Sequence, residues 1–187
     1  VYKRQLLYSL LYLTGYDDFP LEEIKNFRQL GAKTAGHPEN FLSDAIETTT
    51  GPLGQGLANS VGFAMAEEIQ RANFGKSIVD HYTYVFAGDG CLMEGVSQEA
   101  ITIAGRQKLS KLIVFWDNNS ITIDGKVELS DNTNQVERFR SSGWHVLEID
   151  GHNPVEIDRA IIEAKKNDKP TMIACETHIA LGSSAHD

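Results

Sequence analysis

Two short stretches, 30 residues apart counting from Asp89 to Asn119, carry the side chains best suited to chemistry: Gly88-Asp89-Gly90 and Asp117-Asn118-Asn119-Ser120-Ile121. They offer a carboxylate, an amide oxygen and a nearby backbone carbonyl. These are hard oxygen donors with no thiolate or imidazole among them, which suits Mg²⁺ or Ca²⁺ and not zinc. Mg²⁺ completes an octahedral shell with phosphate oxygens and water, so the pattern implies a phosphorylated ligand bridged to the protein by metal. Gly88 and Gly90 let the backbone come close to such a ligand and leave N–H groups free at the start of the next helix. An aspartate between them would repel a bare diphosphate, and a divalent cation reverses that sign.

Competing motifs fail on their own rules. Gly88-Asp89-Gly90-Cys91-Leu92-Met93 lacks the third glycine of a dinucleotide fingerprint, and no segment matches the full eight-residue phosphate loop ending in Gly-Lys-Ser/Thr. Asp117 to Glu128 mimics a calcium loop at its first, third and twelfth positions, but Ile121 and Thr122 stand where a ligand and the glycine belong, and a strand precedes it. Taken alone, Gly-Asp-Gly or Asn119 would be a turn. Paired at this spacing they make a site.

A second cluster lies upstream in Gly36-His37-Pro38-Glu39 and in Glu47-Thr48-Thr49-Thr50-Gly51-Pro52-Leu53-Gly54-Gln55-Gly56. Its glycines and proline define a rigid loop running into a helix, a place for close backbone contact with a ligand. A lone histidine is by default structural or solvated, the reading given to His81, His145, His152 and His178, and to His37 from its type alone. Cys91 and Cys175 read as core residues, since neither sits in a context that lowers a thiol pKa.

The elements that must position these residues follow from periodicity. Tyr82 to Ala87, Lys111 to Trp116, Trp144 to Ile149 and Thr171 to Cys175 read as strands. Ser97 to Lys108, Val136 to Ser142 and Val155 to Lys166 read as helices between them. Nearly continuous apolar strands alternating with helices predict an α/β doubly wound, mainly parallel sheet with helices on both faces. In such a sheet ligands bind beyond the carboxyl ends of the strands, where Asp89 and Asn119 fall one strand–helix–strand unit apart. Leu21 to Leu30 is predicted helical. A longer helix is expected from Gln55 to Asn73, with small residues in its first half that let a neighbour approach closely.

Composition bounds the rest. The chain has 187 residues, 41% of them hydrophobic, and 17 Lys+Arg against 26 Asp+Glu give a net charge of −9. That describes one globular domain without repeats or a linker. The acidic balance argues against nucleic-acid or anionic-membrane partners. Two cysteines make no disulfide framework, and no signal peptide or long apolar run is present. A cytoplasmic location is expected.

The two clusters together resemble the transketolase family, in its N-terminal thiamine diphosphate-binding domain. Gly88-Asp89-Gly90 to Asn119 is similar to the metal and diphosphate motif of thiamine-dependent enzymes at large. Gly36-His37-Pro38-Glu39, Thr49-Thr50-Gly51-Pro52-Leu53-Gly54-Gln55-Gly56 and Gly88-Asp89-Gly90-Cys91-Leu92-Met93-Glu94-Gly95 resemble transketolase specifically. The similarity runs from Leu6 to about Leu181. It implies Asp89, Asn119 and the Ile121 carbonyl as metal ligands, and Gly88 and Gly90 near the diphosphate. Gly51 and Leu53 would line the cofactor, with Leu53 and Ile123 packing on its rings. His37 would face the substrate and bind hydroxyls of a two-carbon unit. Glu94 and Glu99 would lie at a dimer interface.

The implied reaction, a step of the pentose phosphate pathway, moves a two-carbon ketol unit from a ketose phosphate to an aldose phosphate, using thiamine diphosphate and Mg²⁺ or Ca²⁺. The cofactor carries the covalent work. The resemblance further implies a homodimer and a second, pyrimidine-binding domain or subunit bearing the activating carboxylate, so this chain alone is expected to be inactive. Alternatives are the N-terminal subunit of a split transketolase, a related enzyme making deoxyxylulose phosphate, and a non-catalytic dimerisation or binding module of the same fold.

Two departures stand out. Where the family has a Gly-His-Gly-Ser stretch with an active-site histidine, this chain has Val1-Tyr2-Lys3-Arg4-Gln5, and Tyr2 takes the histidine's place. Those five residues match one frame of a sequencing-library transposase adapter, so residues 1–5 are expected to be a foreign scar, and 6–187 a domain truncated at both ends. His186 lies near the family's diphosphate-contacting histidine but is not assigned that role, because the loop register is open.

Overall fold

The structure, a computed structural model, describes residues 3–182 with the exception of Asp124. Val1, Tyr2 and His186 therefore lie outside the described residues. Lys3 to Gln5 form the opening turn of helix α1 (Lys3–Leu13), continuous with Leu6.

Four parallel strands make the central sheet: β1 (Thr83–Gly88), β2 (Leu112–Asn118), β5 (His145–Asp150) and β6 (Thr171–Glu176), in spatial order β1-β2-β6-β5. A small antiparallel pair, β3 (Ile121–Thr122) and β4 (Gly125–Lys126), follows β2. The strands lie within one residue of the expected bounds, except that β2 runs two residues past Trp116 to Asn118, where Asp117 and Asn118 still pair with β6. Their continuous apolar runs have a clear cause. Along β2 successive side chains alternate, so Leu112, Val114 and Trp116 enter one core while Ile113 and Phe115 enter another.

The larger core lies between the sheet and helices α3 (Gln55–Phe74), α5 (Gly95–Gln107) and α6 (Gln135–Ser141), through Leu57, Val61, Ala64, Ile101, Ala104 and Phe139. The smaller one lies under α7 (Pro154–Ala164), through Ala160 and Ala164. Helices thus cover both faces, as expected, although the edge strand β1 leaves Tyr84 and Phe86 each 45% exposed.

Helix α5 reaches its neighbours through a glycine. A Cβ on Gly105 would stand 1.8 Å from the Ser142 carbonyl oxygen, so only glycine lets α5 cross the turn after α6. In the same place the Trp144 indole donates to the Ile101 carbonyl at 2.8 Å. Helix α7 starts where Asn153 accepts from Val155 N at 3.0 Å, with Pro154 in the first turn.

The helix predicted over Leu21 to Leu30 is shorter. Only Leu21–Lys25 (α2) is helical. The segment after it folds back: Arg28, at φ 62°, donates its N–H to the Thr34 carbonyl at 2.9 Å, and Glu23 accepts from Lys33 N and, through its carbonyl, from the Thr34 hydroxyl. Those tertiary bonds replace the ones a longer helix would have made. A satellite core of Tyr8, Leu11, Phe19 and Ile46 anchors α1 against this segment. Tyr8 donates its hydroxyl to the Ala35 carbonyl, and burial pushes its pKa up to about 12.

Candidate functional site

The parallel register carries the site. Gly88 pairs with Asp117 across β1 and β2, so the residues just beyond both strands emerge side by side at the carboxyl edge. Asp89 opens the short helix α4 (Asp89–Met93) and is only 7% exposed. Its Oδ1 accepts a hydrogen bond from the Trp116 indole N–H at 3.2 Å.

Asn119 lies beyond β2, and its side chain is fixed from both ends. Its Nδ2 donates to Asp117 Oδ2 at 3.0 Å, while its Oδ1 accepts from the Ile121 N–H at 3.0 Å. That network decides which amide atom is the oxygen. Asp117 is held in turn by the Thr177 hydroxyl, which donates to Oδ1 at 2.5 Å. Ser120, at φ 60°, then turns the chain into the β3–β4 hairpin that carries Ile121. An amide oxygen has two lone pairs, so the bond from Ile121 leaves Asn119 Oδ1 able to meet a cation.

The second cluster lands on the first. A Cβ built on Gly90 would lie 3.2 Å from Leu53 Cδ1, so Leu53 sits over the Gly88-Asp89-Gly90 turn. Gly54, at φ 80°, packs so closely on the start of α5 that a Cβ there would meet Glu94, Val96 and Ser97 within 2.9 Å. The His37 ring covers Gly51: a Cβ on that glycine would come within 2.4 Å of Cγ and 2.5 Å of Nδ1. Thr50 N donates to the Pro38 carbonyl at 3.2 Å and ties these two segments together.

His37 itself is exposed, as are Glu94 and Glu99. Leu53 is 47% exposed and Ile123, beside the hairpin turn, 80% exposed, so both offer apolar surface to a ligand. Among the described residues no group of three or more His, Cys, Asp or Glu side chains is arranged to hold a metal, so a cation here must use the mixed donor set of carboxylate, amide and carbonyl.

Two features escaped the sequence reading. The first is Trp116, which read only as the end of an apolar strand. The second is a cavity of about 150 Å³ beside Asp89, walled by Trp116, Ser120, Asp131, Thr133 and Gln135. Asp131 accepts from the Thr133 N–H and hydroxyl and from Gln135 Nε2, bonds that hold its pKa below the usual carboxylate range, the Thr133 hydroxyl first. The spacing of Asp131, Thr133 and Gln135 ahead of a helix was the available signal.

On the far side of the same sheet edge, a cleft of about 300 Å³ is lined by Glu148, Asp150, Glu156 and Glu176. The cysteines behave as core residues. Cys175 is buried, and burial first, then the Asp117 charge, push its thiol pKa up to about 11, away from nucleophilic use.

Known proteins share this sequence pattern and fold. The family model described as "Transketolase, thiamine diphosphate binding domain" matches residues 2–187. Transketolase of Rhodobacter capsulatus is 58% identical over 178 residues, covering 95% of this chain and 26% of that protein. Transketolase 1 of Escherichia coli is 55% identical over 183 residues, covering 95% of this chain and 28% of that protein. The crystal structure of Campylobacter jejuni transketolase superposes with a TM-score of 0.91 at 49% identity, covering 96% of this chain and 28% of that one. A Pichia stipitis transketolase solved in complex with sedoheptulose 7-phosphate does so at 0.91 and 50% identity, covering 96% and 27%. The chain thus spans about a quarter of the length of the relatives it matches. With parallel strands, glycine turns and family match in agreement over nearly every residue, the chain belongs to the transketolase family, as its thiamine diphosphate-binding domain.

Proposed function

We propose that this domain binds thiamine diphosphate through a divalent cation, Mg²⁺ or Ca²⁺, and serves a transketolase that moves a two-carbon ketol unit from a ketose phosphate to an aldose phosphate. What supports this most directly is that Asp89 and Asn119 follow the carboxyl ends of adjacent, in-register parallel strands, with Leu53 laid over Gly90. The residues fit the group. Every donor is an oxygen, and at Gly51 and Gly90 the backbone packs so closely on His37 and Leu53 that a Cβ would press on those side chains.

In this reading Asp89, Asn119 and the Ile121 carbonyl hold the cation, and the backbone at Gly88 and Gly90 approaches the diphosphate. Leu53 and Ile123 give apolar contact to the cofactor's rings, and Gly51 lines the cofactor beside them. His37 hydrogen-bonds hydroxyls of the two-carbon unit. Bound thiamine diphosphate supplies the carbon nucleophile, and the protein supplies orientation, water exclusion and charge. The net charge of −9 is compatible with a phosphorylated ligand because the cation and backbone N–H groups, not a basic surface, receive it.

The same reading includes sugar-phosphate substrates, a pyrimidine-binding domain or subunit that completes the site, and a homodimer with Glu94 and Glu99 near its interface. It puts the enzyme in the cytoplasm and in the pentose phosphate pathway, without nucleic-acid or membrane partners. Among the described residues no helix is long and apolar enough to cross a membrane.

The metal assignment is tested by Asp89→Ala in a full-length enzyme carrying this domain. Calorimetric titration with thiamine diphosphate should lose its Mg²⁺-dependent component. Unchanged affinity would refute the assignment.

A further inference from the structure

We infer that Trp116 is a positioning residue for the divalent cation: its indole N–H fixes the Asp89 carboxylate so that the group is aimed at the metal. The inference rests on the metal reading above and deepens it. Trp116 lies near the carboxyl end of β2 as a buried side chain on the face shared with Leu112 and Val114. A buried indole N–H needs an acceptor. It finds one in Asp89 Oδ1 at 3.2 Å, 27 positions away in sequence and next door across the sheet.

The two proposed side-chain ligands are supported in parallel ways. Asn119 is oriented by Asp117, itself held by Thr177, and Asp89 is oriented by Trp116. Groups that hydrogen-bond to a ligand set its direction, and their removal typically lowers metal affinity about 10- to 100-fold. The cavity beside Asp89 sharpens the need, since Trp116 is one of its walls and the carboxylate borders open space there. Mg²⁺ demands near-ideal octahedral geometry, whereas Ca²⁺ accepts a looser and larger shell. A carboxylate held less firmly therefore penalises Mg²⁺ more than Ca²⁺, a difference that loss of packing alone does not produce.

The test compares Trp116→Phe with wild type in a full-length enzyme carrying this domain. Mg²⁺ and Ca²⁺ are titrated separately in the presence of thiamine diphosphate, and melting of the metal-free protein is followed alongside. We expect Mg²⁺ affinity to fall about tenfold and Ca²⁺ affinity by about threefold or less. Equal losses for both metals, tracking a lower melting temperature, would reduce Trp116 to a packing residue and overturn the inference. So would unchanged Mg²⁺ affinity while Asp89→Ala abolishes it, an outcome that leaves the metal assignment standing. If Asp89→Ala itself keeps Mg²⁺-dependent binding, the underlying reading fails instead.

A measurement on the unmutated protein guards against a variant that does not fold. In ¹⁵N-tryptophan-labelled enzyme the Trp116 indole N–H resonance should shift as Mg²⁺ is added, with the midpoint seen by calorimetry. A resonance that stays in place overturns the inference.

Discussion

Gly51 shows how a single missing side chain shapes the site. A methyl group there would stand 2.4 Å from Cγ of His37, far inside van der Waals contact, and φ of 155° adds strain for any other residue. Gly51→Ala must therefore displace His37 or distort the loop. Overpacking of this kind costs about 1–3 kcal/mol. We expect thiamine diphosphate affinity to drop about tenfold, with the melting temperature also lowered. Adding His37→Ala removes the collision partner and should restore much of the stability, a non-additivity that a double-mutant cycle measures. Independent, additive losses would show that the two residues do not press on each other in solution. The glycines and the histidine were visible in the sequence as separate signals. That one ring covers one α-carbon was not, because residues 37 and 51 share no helical or strand periodicity that would put them in contact.

At the scale of elements, the regular half of the chain was readable because each strand and helix there carries its own signature. Asn153 followed by Pro154 marks the start of α7, and the apolar run from Leu112 marks β2 with both faces buried. Helix α2 was overextended because a segment whose Glu23 carboxylate and carbonyl bond to Lys33 and Thr34 in space obeys no local period. The position of α5 depends on another such contact. A Cβ on Gly105 would press on the Ser142 carbonyl, a backbone atom that cannot swing away, so Gly105→Ala should force α5 off the turn after α6. The expected loss is roughly 3 kcal/mol, or about 10 °C in melting temperature for a chain of this size. A change of under about 2 °C would mean that α5 is free to slide. Since α5 follows the Gly88-Asp89-Gly90 turn, Gly105→Ala also tests whether helix placement is transmitted to cofactor affinity.

For the whole molecule, the chain holds one ligand-bearing edge of a sheet and about a quarter of the length of its relatives. At the opposite end of the sheet, the buried Glu67 takes a hydrogen bond from Lys111 at 2.7 Å, and Lys111 also reaches Asp80. This ion network ties α3 to the start of β2 and keeps the strand register on which the site depends. In our reading the carboxylate that activates the cofactor comes from another domain. The purified 187-residue chain should accordingly give no measurable ketol transfer in a coupled assay with ketose and aldose phosphates. Robust turnover by that chain alone would overturn the reading.

The sequence by itself determined the chemistry on offer. Oxygen donors between glycines, strands apolar throughout their length and the 30-residue spacing from Asp89 to Asn119 are local or nearly periodic, and so they survive in one dimension. Only the tertiary structure decided that Leu53 lies on Gly90, that His37 covers Gly51 and that Trp116 holds Asp89. Those contacts join segments separated by 14 to 37 positions in the chain, and what brings them together is the parallel register of β1 with β2 and the close approach that glycine alone permits.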